Sequence, residues 1–194
     1  TLDSSTGDAG QQQEVACPRC GAPQLLEPTT VLKPGDAELE ELFRGTCNQV
    51  VCQNCETPFV LEVPIVFRDD TERALIYYVP LDEPKRWREA EKNMETVTEQ
   101  VFGGDGGAEE AEPRPDCRLT VTKRTFIEKI ALHLHGLDDR VVEYLKYQLY
   151  ENRENPIDPV RSELLYDFTA SDEGKLSFLL FDRETGKATA AAHY

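Results

Sequence analysis

The sequence predicts an α+β chain: a small antiparallel β unit held by four cysteines, then helices, then a C-terminal antiparallel β-meander. Three observations carry this prediction. Two Cys-x-x-Cys pairs fall in the first third of the chain, helical periodicity fills 83–102 and 125–149, and three β-rich runs separated by turn residues close it. With 194 residues, 39% of them hydrophobic, the chain has material for one ordinary domain or two small ones. The 37 acidic against 21 basic side chains give a net charge of −16, which repels nucleic acid and anionic lipid. No run reaches the roughly 18 apolar residues of a membrane span, and the first residues are polar where a signal peptide would be basic and then apolar. The expectation is a soluble, cytoplasmic protein without membrane association.

Residues 1–13, rich in Ser, Gly, Asp and Gln, show no apolar period and are expected to be a disordered tail. The cysteine-bearing β unit is then expected over 14–80. Within it, Leu25, Leu26, Val31 and Leu32 suggest a strand interrupted by Pro28, and Pro34-Gly35-Asp36 makes a turn that starts a short helix over Ala37–Phe43. Phe59–Phe67 and Arg73–Val79 are β-rich runs around the polar Arg68-Asp69-Asp70-Thr71, a hairpin signal. An amphipathic helix is expected over 81–102. It has Pro84 in its first turn, and Trp87, Ala90, Met94, Val97 and Val101 form one narrow stripe that packs on the protein's own sheet or docks a partner helix.

A flexible acidic linker is expected over 103–116; its glycines lack the Lys and Ser or Thr of a phosphate-binding loop. The final α+β unit, 117–194, opens with a strand over Cys117–Thr122. Thr125 and Glu128 fit a capping box for a helix with Phe126, Ile127, Ile130, Ala131 and Leu134 on one face. Gly136 fits its left-handed end. Asp138 can cap a second helix bearing Val141, Val142, Leu145 and Leu149, completing an αα-hairpin. After Asn155-Pro156 and Asp158-Pro159, strands are expected at Leu164–Thr169, Lys175–Asp182 and Lys187–Tyr194. Their turns are Asp172-Glu173-Gly174 and Arg183-Glu184-Thr185-Gly186, and the middle strand is central because both of its faces are apolar.

The strongest chemical signal is Cys17-Pro18-Arg19-Cys20 with Cys52-Gln53-Asn54-Cys55. A two-residue gap lets both sulfurs of a tight turn point at one centre about 2.3 Å away, and two such knuckles supply the corners of a tetrahedron. One structural zinc ion bound by Cys17, Cys20, Cys52 and Cys55 is the expected occupant. Rubredoxin-like iron and CxxC disulfide or redox chemistry are the alternatives. With four protein ligands a zinc has no open position for water, so its role is to hold the fold. Cys47 is read as a small buried hydrophobe and Cys117 as a free thiol.

Several stretches resemble the bacterial and archaeal CpXC domain proteins. They are Cys17-Pro18-Arg19-Cys20-Gly21, Gly45-Thr46-Cys47-Asn48 leading into Cys52–Cys55, Val63–Asp69, Leu75–Pro80, and Gly136-Leu137-Asp138-Asp139-Arg140. The resemblance implies a zinc-ribbon-like start with Cys17, Cys20, Cys52 and Cys55 as ligands, and a domain without an assigned activity. The second knuckle departs from the pattern, with Gln53 in place of Pro and Glu56 in place of Gly. Glu56 must then take a left-handed backbone at a cost of about 1 kcal/mol.

No catalytic residues are nominated. His133 and His135 are two apart on a helix and point roughly 200° apart, so they cannot share a ligand, and carboxylates in so acidic a chain are mostly solvated surface. A nucleic-acid or transcription-associated role is the alternative, through a basic stripe of Lys123, Arg124, Lys129, Arg140 and Lys146. Against it, residues 1–80 carry five Lys or Arg and thirteen acids. The favoured expectation is a non-enzymatic zinc-binding module that meets a protein partner with a basic face; the oligomeric state is not fixed by the sequence.

Overall fold

The computed structural model describes residues 12–81, 86–102, 115–154, 156–172 and 174–194. Most of the expected tail and linker, the start of the amphipathic helix, Asn155 and Glu173 lie outside the described residues. The fold is α+β, and the chain divides into two compact units between Thr122 and Lys123.

In the first unit, β1 (Gln13–Ala16) pairs antiparallel with β2 (Pro23–Leu26), and the turn between them carries the first cysteine pair. Gln13, assigned to the tail from the sequence, pairs with Leu26, because a short polar strand draws its structure from its partner. The chain continues through β3 (Val31–Leu32) and α1 (Ala37–Arg44), which ends at Gly45 with φ +76°. A second hairpin, β4 (Gln49–Val51) with β5 (Pro58–Val60), carries the second cysteine pair. The expected run Phe59–Phe67 therefore breaks: Pro64 offers no N–H, and β6 begins after it at Ile65.

Strands β3, β6 (Ile65–Asp69), β7 (Ala74–Tyr78) and β8 (Asp116–Thr120) form one sheet in that order. It is mixed rather than antiparallel. β6 and β7 make the expected hairpin, but β3–β6 and β7–β8 are parallel, because the connection over each of these pairs is long enough to return the chain in the same direction. The strand expected to open the second unit thus closes the sheet of the first. All five residues of β7 are buried, and Leu32, Ile65, Phe67 and Leu75 meet α1's Leu42 in the buried set. Helix α2 (Trp87–Phe102) lies on β8. Its stripe packs on its own sheet through buried Ala90 and half-buried Met94, Val97 and Val101, while Trp87 stays 45% exposed. The Arg73 guanidinium sits 5.0 Å over the Phe102 ring.

The second unit contains α3 (Lys123–Leu134), α4 (Asp139–Tyr150), β9 (Ser162–Tyr166), β10 (Ser177–Asp182) and β11 (Ala188–His193). Its sheet is antiparallel in the order β11-β10-β9, with β10 central as expected. Phe126, Ile130, Leu132, Val142, Leu164 and Phe178 are fully or almost fully buried. Gly136 ends α3 at φ +66°, and Leu137 N–H donates to Leu132 O at 2.9 Å. Asp138 caps α4 by accepting from Arg140 N–H at 3.0 Å. β9 stops at Tyr166 rather than Thr169, because Asp167 Oδ1 captures the Thr169 N–H at 3.0 Å and its hydroxyl at 2.7 Å.

The capping box is not formed as expected. α3 starts at Lys123, which places Thr125 inside its first turn, and Glu128 is buried at 3% exposure. Its Oε1 accepts from Lys146 Nζ at 2.6 Å and from Tyr166 N–H at 2.6 Å, tying α3 to α4 and β9.

Candidate metal centre

The two hairpins present their cysteines through the same turn. At the first, Gly21 N–H donates to Cys17 O at 2.9 Å and Cys17 N–H to Ala22 O at 2.9 Å. At the second, Glu56 N–H donates to Cys52 O at 2.9 Å and Cys52 N–H to Thr57 O at 3.0 Å. Both turns need a left-handed residue just after the second cysteine, supplied by Gly21 at φ +71° and by Glu56 at φ +56°. The second is the strained position expected from the missing glycine.

The turns bring Cys17, Cys20, Cys52 and Cys55 into one group whose sulfurs all lie within 4.8 Å of one another. Cys17 and Cys55 are 3.7 Å apart, as are Cys20 and Cys52. A tetrahedron with metal–sulfur bonds of about 2.3 Å has edges of about 3.8 Å, so these separations suit a single ion. They are far longer than a disulfide's roughly 2.05 Å. Cys17 and Cys52 are buried, Cys55 is half-buried and Cys20 is exposed.

The local hydrogen bonds favour thiolate unevenly. Thr57, through its hydroxyl 3.3 Å from Cys55 Sγ and its backbone, holds the Cys55 thiol down at about 6. The backbone of Ala22 lowers Cys20, helped by Asn54 Nδ2 at 3.6 Å. At Cys52 the backbone of Cys55 lowers the thiol, but burial and the sulfurs of Cys17 and Cys55 outweigh it and push it to about 11. The surroundings thus favour thiolate at Cys55 and Cys20 and oppose it at Cys52, and a metal that binds displaces whatever thiol protons remain.

Polar bonds outside the sulfurs also join the knuckles. Gln24, buried at 6% exposure, accepts from Gln53 N–H at 3.1 Å, and Arg19 donates to Thr57 Oγ1 at 2.9 Å. Asn48, at φ +60°, pairs its side-chain amide with Thr29 by donating to the carbonyl at 2.9 Å and accepting from the N–H at 2.8 Å. These three supports were not legible in the sequence, because a polar residue in a loop carries no periodic signal.

The other sequence candidates lie elsewhere. Cys47 is buried at 2% exposure and is not part of the four-sulfur group. Cys117, on β8, has its sulfur 3.4 Å from Thr98 Oγ1 on α2. His135 is exposed at the end of α3 with Nδ1 3.0 Å from the Tyr166 hydroxyl, and His193 Nδ1 is 3.1 Å from Ser177 Oγ. The basic stripe does not form. Lys146 is buried against Glu128 and Glu143, Lys129 faces Glu143 at 2.7 Å and Asp139 at 3.3 Å, and Arg140 pairs with Asp138.

Two matched knuckles bringing four sulfurs within 4.8 Å of one another define a four-cysteine β module, suited to a metal ion, on an α+β frame. The family model of the CpXC protein matches residues 15–146, and the chain belongs to the CpXC family. The match begins just before Cys17 and ends inside α4. No curated protein and no solved structure matches the chain.

Proposed function

We propose that Cys17, Cys20, Cys52 and Cys55 hold one structural zinc ion and that the protein is a non-enzymatic cytoplasmic module that binds a protein partner. The observation that carries the metal reading is the four-sulfur group, every pair within 4.8 Å and two pairs at 3.7 Å, built from two turns of identical hydrogen bonding. Zinc supplies a cross-link between the β1–β2 and β4–β5 hairpins. Four thiolates satisfy its usual coordination, which suits a structural rather than a water-activating role. The net charge of −16 favours a partner with a basic face.

Elemental mass spectrometry on tag-free protein purified without added metal, beside a Cys52→Ser variant, tests this. One zinc per chain, lost in the variant together with β structure, is the expected result. Iron with a visible thiolate absorption, or no metal with oxidised pairs, overturns the zinc reading. Turnover in a broad hydrolase and redox screen, abolished by a point variant that remains folded, overturns the non-enzymatic one.

A further inference from the structure

β11 is the edge strand of the second unit's sheet, and its residues Ala188 to Ala192 are a threonine and four alanines. Natural edges are usually blunted by lysine, proline, an inward charge or a bulge; this stretch has none of the first three, and its one register shift, at Thr189, lies at the start of the strand and leaves Ala190 to His193 in regular pairing. The register shows which backbone groups are open. Tyr194 exchanges both hydrogen bonds with Leu176, at 2.9 and 3.1 Å. By antiparallel alternation Ala192 and Ala190 turn their polar groups to β10, while Ala191 and His193 turn theirs to the open edge.

Beside this edge lies a groove of about 590 Å³ whose lining includes Leu149, Ile157, Leu180, Ala190 and Ala192. Leu180 stands directly opposite Ala190 in the ladder, so Ala190 and Ala192 share its face. That face is the one on which Leu164 and Phe178 are buried, yet at β11 it carries only methyl groups. The space that a large side chain would fill is left open at the edge strand.

We propose that β11 and this groove accept an extended segment of a partner protein. The segment would add as a strand to β11 and place a Leu-, Ile- or Phe-sized side chain against Ala190 and Ala192. The chemistry of the rim selects its flanks. Next in the chain to the lining residues Asn152, Pro156 and Ile157 are exposed Glu151, Glu154 and Asp158 against Arg153, a local acidic excess that suits lysine or arginine beside the apolar residue. A second copy of the chain fits less well: its β11 offers only alanines to the groove, and it brings another charge of −16. This inference rests on the interaction-module reading and gives it a surface, but it does not depend on the metal.

The test is selection of a random twelve-residue phage-displayed peptide library on the immobilised full chain. The selected peptides are then titrated against Ala191→Pro and Ala190→Trp, with folding checked by circular dichroism. Ala191→Pro removes an edge-facing donor without touching the β10 ladder, and Ala190→Trp fills the groove. Expected are peptides with bulky apolar residues at alternate positions and basic flanks, each variant weakening them at least tenfold. Selected peptides that bind both folded variants as well as the parent overturn the groove and leave the interaction reading standing. A concentration-dependent dimer in sedimentation, abolished by Ala191→Pro, overturns the partner segment in favour of a second copy. Failure of the library to yield any binder overturns the groove, whereas the non-enzymatic reading fails separately, in the turnover screen.

Discussion

Lys146→Met should be among the most damaging single changes in the second unit. Lys146 and Glu128 side chains are 6% and 2% exposed and 2.6 Å apart, and Lys146 also reaches Glu143 at 3.0 Å. Removing the ammonium leaves Glu128 as a buried carboxyl with only the Tyr166 N–H as a hydrogen-bond donor, and breaking such a pair costs about 3–5 kcal/mol. In a unit of this size that is a drop in Tm on the order of 20 °C. The pH dependence identifies the cause. Burial raises the Glu128 carboxyl above its ordinary value and Lys146 opposes the rise; without Lys146 the rise is larger. An acid whose pKa is higher folded than unfolded holds its proton in the native state, so stability is lost as pH climbs from the ordinary carboxylate value towards the raised one. Urea titrations at several pH values should therefore show the Lys146→Met penalty growing with pH, and Glu128→Gln combined with it should recover much of the loss. A penalty below about 1 kcal/mol, or one that shrinks with rising pH, refutes the reasoning.

Glu56→Gly relieves a left-handed residue at the second knuckle and should tighten metal binding by up to about 1 kcal/mol, or about fivefold, in competition with a chromophoric chelator. On the proposed metal-loaded protein, a chelator should melt the amide protection of the two hairpins while that of α3 and β10 persists, as hydrogen exchange would report. Asp138→Ala should lower the Tm at neutral pH. Arg140's side chain and backbone hold the Asp138 carboxyl below its usual range, so the native charge stabilises above about pH 3.9 and its effect fades on acidification, closing the gap to the parent. Trp87→Ala, at a half-exposed position, should change stability by no more than about 0.5 kcal/mol in denaturant unfolding.

The sequence made the metal centre legible because Cys-x-x-Cys fixes its own local geometry, and the ends of α3 and α4 because Gly136 and Asp138 act through neighbouring backbone alone. What it concealed depends on residues far apart in the chain. Parallel pairing of β3 with β6 and of β7 with β8 is settled by the segments between them, so no local pattern announces a mixed sheet. The short strands β1 and β4, four and three residues long, are strands only because β2 and β5 lie beside them. Thr125-x-x-Glu128 fits a capping box whether the helix begins there or a few residues earlier, and only the position of Lys146 and Tyr166 shows that Glu128 faces inward.

The distribution of buried side chains explains why a metal belongs at this site. Across β1, β2, β4 and β5 the one buried residue is Gln24, a polar side chain spent on the opposite knuckle. Isolated two-stranded hairpins are marginal at best in water, and these two have almost no hydrophobic face to join. Leu25, Val51 and Val60 are instead exposed. The Gln24 and Arg19 bonds across the knuckles are worth on the order of 1 kcal/mol each, too little to order two hairpins against chain entropy. A four-thiolate zinc contributes on the order of 10–16 kcal/mol in small zinc-finger peptides, which is the scale required. The second unit has Phe126, Ile130, Leu164 and Phe178 for the same purpose and needs no such staple. With a metal bound, stability in this chain would be of two kinds, coordination chemistry in the hairpins and apolar burial around β7 and β10, and a change that removes one should leave the other measurable.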